Sequence, residues 1–159
     1  MKAVQFAEHG DRDVIEYGDF PDPEPGRGEV LVDVKAGALN HLDIWTRRGM
    51  PGIDLEMPHV PGSDAAGVVE AVGEGVTRFE PGDHVAVSAG VACGNCEFCR
   101  NGEQSLCTSF HIIGEHVRGV HGEKATVPEA NLVPVPDGVD WEVAGSASLV
   151  FQTAWRMLQ

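Results

Sequence analysis

Lysine is scarce in this chain of 159 residues: Lys2, Lys35 and Lys124 are the only three. Lysine and arginine together number 11 against 25 aspartates and glutamates, a formal net charge of −14. A surface that negative repels nucleic-acid phosphate and anionic lipid, so neither nucleic acid nor membrane is expected as a partner. An acidic, lysine-poor surface also suits a halophilic protein, because counter-ions screen its self-repulsion in high salt. Long apolar runs are missing as well. None approaches the ~20 residues needed to cross a bilayer. Residues 1–10 hold two charges and no apolar stretch, unlike a signal peptide. The expectation is a soluble, cytoplasmic protein whose cysteines stay reduced. Helical periodicity is hardly visible before Val135, and the chain has neither an internal repeat nor a low-complexity tract.

What is present is glycine, proline and short strand-like runs. Hydrophobic residues make up 42%, enough for a core. Runs at 30–35, 67–72, 84–87, 124–127 and 132–135 are alternating or small and apolar, which predicts strands. Turn signals separate them: Pro25-Gly26, Pro51-Gly52, Pro61-Gly62, Gly73-Glu74-Gly75 and Pro81-Gly82-Asp83. Many short strands at this spacing predict a mainly β fold, a closed or partly open barrel that hides its edges. The C-terminal stretch differs. After Asp140-Trp141-Glu142 and a small apolar run, Phe151, Ala154, Trp155 and Leu158 fall at i, i+3, i+4 and i+7, one face of a helix. No glycine cap or proline stop follows. Nothing downstream covers that apolar face, so the sequence reads as part of a larger protein.

All four cysteines lie within residues 93–107, spaced C-x2-C-x2-C-x7-C: Cys93, Cys96, Cys99 and Cys107. Four thiolates from one loop complete the tetrahedron that Zn²⁺ prefers and leave no vertex open, so the expected site is structural rather than catalytic, with one zinc per chain. Gly94, Asn95, Asn101 and Gly102 allow the tight turns this requires. Disulfides, redox thiols and an iron–sulfur cluster are the other chemistries open to four cysteines.

From Gly62 to Val85 the chain reads GSDAAGVVEAVGEGVTRFEPGDHV. Gly62, Gly67, Val69, Val72, Gly73, Val76, Phe79, Gly82, Asp83 and Val85 fall where a known pattern expects them. The stretch resembles the catalytic-domain signature of the medium-chain dehydrogenase/reductase superfamily, the zinc-type alcohol dehydrogenases and quinone oxidoreductases. The cysteine spacing, the opening MKAVQFAEHG, LNHLDIWTRRG at 39–49 and LVPVP at 132–136 are similar too. The resemblance implies a GroES-like, partly open β-barrel over 1–138 with a small structural-zinc lobe at 91–110. It also implies a helical link at 139–159 into a Rossmann cofactor domain. That domain is absent here, and no G-x-G-x-x-G stands between a strand and a helix. The implied activity is that of an NAD(P)H-dependent oxidoreductase acting on a small molecule. Its catalytic-domain fragment alone would be inactive, and a homodimer is compatible with the family.

Within the superfamily the residues separate two chemistries. A catalytic zinc needs an open site, usually Cys, His and Cys. At the matching positions stand Asn40, Ser63 and, more loosely, Leu149, while the proton-relay hydroxyl is replaced by Leu42. Asn40 instead resembles the zinc-independent quinone oxidoreductase branch. Hydride transfer to a quinone or enone carbonyl then needs an amide donor, Asn40, and a flat apolar slot to which Trp45 contributes. By resemblance Asp43 orients the loop at Asn40, His41 meets cofactor phosphate and Thr153 the nicotinamide. Read without the resemblance, Asp43 is a helix cap, His41 a solvated loop residue and Asn40 a turn former. Two alternatives stay open. One is a zinc alcohol dehydrogenase with unusual ligands from His41, Asp43, Asp54, His59 and Asp64. The other is a non-catalytic, zinc-braced GroES-like module. His111, His116 and His121 share no helix or strand face and read as solvated loop.

Overall fold

The computed structural model describes residues 1–158; Gln159, included in the expected 139–159 link, lies outside the described residues. Alternation and valine content make β3 (Glu29–Ala38), β4 (Asp64–Val72), β5 (His84–Val87), β8 (Lys124–Pro128) and β9 (Leu132–Pro134) strands. They form one antiparallel sheet in the order β8-β3-β4-β5-β9. Among the described residues its edge strands β8 and β9 do not pair with one another, so the barrel is open. β3 is the spine. Val30 faces Val72 on β4 and Val127 on β8, and register shifts between Leu31/Val32 and Val34/Ala36 bend the strand. The fully buried Val30, Val32, Val69, Val85, Val87, Val127 and Leu132 make the core, closed by Phe79, Ile113 and Val120. Gly67 pairs with Val34, and a side chain there would collide with the Asp33 carbonyl. This close approach explains the glycine in the signature.

Two ribbons were not legible. β1 (Lys2–Gln5) and β2 (Glu16–Asp19) pair with each other, and β2 is mostly exposed, so no alternation marked it. Isolated bridges Ala3–Gly122 and Phe6–His59 join this end of the chain to the segments flanking β4 and β8. β6 (Gly90–Val91) and β7 (His111–Ile112) are two residues each and close the base of the cysteine loop.

Two helices form before Val135 where helical periodicity is hardly visible: α1 (His41–Arg48) and the short α2 (Glu97–Arg100). Leu42, Ile44 and Trp45 form no apolar stripe; caps define α1 instead. The Asn40 N–H donates to Asp43 Oδ2 (2.7 Å), and Gly49, at φ 88°, ends the helix with its N–H on the Thr46 carbonyl. At the C-terminus α3 (Trp141–Met157) starts from Asp140 and places Glu142 in its first turn, where the helix dipole favours it. It packs across β3 and β4, with Ala144 and Gly145 buried and Gly145 close to the Ala36 carbonyl. From Val150 to Leu158 every residue is exposed, the predicted stripe of Phe151, Ala154, Trp155 and Leu158 included. Among the described residues no helix is long and apolar enough to cross a membrane.

Candidate functional site

The β6–β7 base holds up a lobe in which α2 and the turn after it bring the four cysteines together. Asn131, buried under the base, donates from Nδ2 to the carbonyls of Ser88 (2.7 Å) and Gly90 (2.8 Å) and ties the lobe to the sheet. All four thiols are free, and their sulfurs lie within 4.8 Å of one another. Cys96 and Cys99 Sγ are 3.5 Å apart, Cys93 and Cys99 3.9 Å. A zinc tetrahedron with Zn–S near 2.3 Å has S–S edges of about 3.8 Å, so the cluster is already the right size. Backbone N–H groups point at the sulfurs: Cys93 N–H to Cys107 Sγ (3.3 Å), Cys96 N–H to Cys93 Sγ (3.4 Å) and Ser109 N–H to Cys107 Sγ (3.4 Å). Such donors favour the thiolate. Those of Asn95 and Cys96 hold Cys93 below the usual thiol range, and that of Cys99 holds Cys96 at about 6. Burial pushes Cys99 up to about 12. The donor set, its spacing and its N–H shell fit a closed zinc site.

A second cluster gathers at the N-terminus of α1. Asn40 Nδ2 donates to Asp64 Oδ2 (2.9 Å), and Asp64 Oδ1 accepts the Leu149 N–H of α3 (2.8 Å). Asp64, 1% exposed, therefore ties the α1 loop to α3. Ser63 is fully buried and its hydroxyl is committed to the Ile113 carbonyl (2.7 Å). The rings of His41 and Trp45 meet edge to face at 4.7 Å, both on the exposed side of α1. Thr153 is exposed one turn beyond Leu149, and its Oγ1 donates to the Leu149 carbonyl (2.8 Å). It lines a groove of about 490 Å³ between α3 and the lobe, with Phe110, Ile112 and Trp155. Asn40, Asp43 and Asp64 are thus brought together, His41 and Trp45 stand beside them, and Thr153 lies farther along α3. The Leu149 backbone donor was missed, because residue types do not show which N–H a carboxylate will take.

The other ionisable residues do not join this cluster. Among the described residues the four thiols are the one group of three or more histidine, cysteine or carboxylate side chains gathered at metal-binding distance. His59 is buried (1% exposed) against Phe6, its Nε2 3.2 Å from the Gly114 carbonyl. The solvated-loop expectation for the later histidines is corrected in part. His111 lies in β7, and His121 is half-buried with Nε2 3.2 Å from the Ala38 carbonyl. The chain folds back there over Gly62, which has no side chain to block it. His116 is exposed and accepts the Ile112 N–H.

Burial lowers the pKa of His59 below the ordinary histidine value. The unfolded chain protonates this residue near pH 6.5 and the folded chain only below that. Between the two values the unfolded state holds more protons, so stability falls as pH drops below about 6.5. Urea unfolding at pH 5.5 and 7.5 checks this: the stability gap between the two should shrink in His59→Gln.

Residues 26–137 match the family model of the alcohol dehydrogenase GroES-like domain. The chain is 33% identical to an alcohol dehydrogenase of Schizosaccharomyces pombe, over 99% of this chain and 45% of that protein. It is 35% identical to a quinone oxidoreductase of Pseudomonas aeruginosa, over 99% of this chain and 40% of that protein. A crystal structure of an NAD-dependent alcohol dehydrogenase superposes with a TM-score of 0.94 at 48% identity, covering 99% of this chain and 46% of that one. The chain spans less than half the length of the curated relatives it matches. With sheet, cysteine lobe and signature in agreement, the chain belongs to the alcohol dehydrogenase GroES-like family, within the superfamily of zinc-type alcohol dehydrogenases and quinone oxidoreductases.

Proposed function

We propose that this chain is the catalytic domain, 1–138 with a link at 139–159, of an NAD(P)H-dependent oxidoreductase of quinone-reductase type. Its substrate is a quinone or enone, reduced without a catalytic metal. One observation carries the reading: where the zinc enzymes place metal ligands, the side chains of Asn40 and Ser63 donate to Asp64 and to the Ile113 carbonyl, and Leu149 offers only an alkyl side chain. An amide, a hydroxyl and an isobutyl group do not replace thiolate or imidazole on zinc.

NAD(P)H, when bound, supplies the hydride. The Asn40 amide spends one proton on Asp64 and keeps the second for a substrate oxygen that gains negative charge. Asp64 holds that side-chain amide, while Asp43 holds the main-chain N–H of the same residue. Trp45, steadied by His41, forms a flat wall. Thr153 commits its proton to Leu149 and so offers lone pairs to an amide donor such as a carboxamide.

The zinc alcohol dehydrogenase alternative draws support from Asp64, a buried carboxylate beside Asn40, and from relatives named alcohol dehydrogenase. Both Asp64 oxygens, however, already accept hydrogen bonds. The complete gene product decides between them. Reduction of 1,4-benzoquinone by NADPH or NADH, unaffected by 1,10-phenanthroline and at least 10-fold slower in Asn40→Ala, supports the proposal. Chelator-sensitive oxidation of ethanol with no quinone turnover overturns it.

A further inference from the structure

Three buried polar atoms of α1 have no hydrogen-bond partner among the described residues: Asp43 Oδ1, Thr46 Oγ1 and Arg47 Nη1. They come from positions i, i+3 and i+4, which share one helix face. Thr46 is 2% exposed and Arg47 7%. Burial of an unpaired guanidinium is costly, and three unpartnered groups on one face call for a common partner. The Thr46 hydroxyl is also not turned back onto its own helix, the usual resort of a threonine within a helix.

The charges decide what fits among them. An anion would be repelled by Asp43, and a metal cation by Arg47. A small neutral group that both donates and accepts suits all three. Water is the smallest such group, and buried water characteristically takes two to four polar partners. Asp43 matters beyond its own burial, because its other oxygen holds the Asn40 N–H at 2.7 Å.

We infer that an internal water is bound beneath α1 by Asp43 Oδ1, Arg47 Nη1 and Thr46 Oγ1, and that Arg47 is a positioning residue for Asn40. Arg47 donates to the water, the water donates to Asp43, and Asp43 orients the N-terminus of α1. The Arg47 carbonyl anchors the opposite end, accepting the Gly10 N–H (3.1 Å) and lying 3.2 Å from His9 Nδ1. The helix is thereby fixed at both ends while its exposed side stays free. The importance of this device for catalysis rests on Asn40 facing the substrate; the water site itself does not.

The test uses the ¹⁵N-labelled chain and its crystal structure. The chain has four asparagines, and Asn131, bonded to Ser88 and Gly90, is the internal control. Density for a water within hydrogen-bond distance of both Asp43 Oδ1 and Arg47 Nη1 is expected. Arg47→Met should shift or broaden the backbone and side-chain amide signals of Asn40, leave those of Asn131 in place, and empty the site. Arg47→Lys should restore part of the wild-type Asn40 position. Should Arg47→Met not fold, Thr46→Val, which keeps the shape and removes the hydroxyl, should give a smaller shift of the same signals. A direct Asp43–Arg47 ion pair with no water, or unmoved Asn40 signals in both variants, overturns the inference. None of these readouts involves turnover, so failure of quinone reduction and failure of this site are distinguishable.

Discussion

Replacing Cys99 by serine should abolish zinc binding and unfold the 91–110 lobe while the five-stranded sheet stays folded. The lobe has little else to hold it. Leu106 is half-exposed, Phe110 is partly so, and the two-residue strands β6 and β7 are its only ladder. Four thiolates around one ion supply the ordering that a small apolar core cannot, and metal-binding free energy becomes folding free energy. The expected loss is therefore local. Amide exchange of residues 93–107 should accelerate at least 100-fold, about 2.7 kcal/mol of local stability. The β3 and β4 amides, paired on both sides, should change little. Chelation of the wild-type chain should reproduce the pattern. Global unfolding in both experiments would show that the lobe and the sheet are one cooperative unit.

Asp64→Ala carries the second large effect. It removes the acceptor for both the Asn40 amide and the Leu149 N–H at a position 1% exposed. Each stranded donor costs about 1–3 kcal/mol, so a loss of about 3 kcal/mol or more is expected, with a fall of about 6–12 °C in Tm. Asp64→Asn keeps one acceptor and should lose roughly half as much. Denaturant unfolding of the two variants measures this, and Asp64→Ala should also release α3, seen as faster exchange of its amides. A loss below about 1 kcal/mol would mean that α3 is held by packing alone.

Where residues carried their own pattern, the sequence was a good guide. Alternating or small apolar runs between turn signals marked all five strands of the main sheet, and β5 runs from His84 to Val87 as expected. The cysteine spacing announced the metal lobe because four sulfurs that close in sequence have few other uses. The exposed Phe151 and Trp155 match the uncovered helix face. What stayed hidden was held by the backbone or by distant partners. α1 is defined by the Asn40–Asp43 and Gly49 caps rather than by a stripe. Asp64 reads in the sequence as a candidate metal ligand rather than a structural tie, because its partner in α3 is a main-chain N–H 85 residues away. Residue type does not tell Arg47 from Arg48: Arg47 is buried, while Arg48 reaches solvent and pairs with Asp11.

The zinc content of the purified chain after equilibration with zinc decides whether metal binds at the cysteine lobe alone. One ion per chain is predicted for the wild type, one for Asp64→Asn and none for Cys99→Ser. A second ion that survives Cys99→Ser and disappears with Asp64→Ala would place a metal at the substrate site and contradict the account.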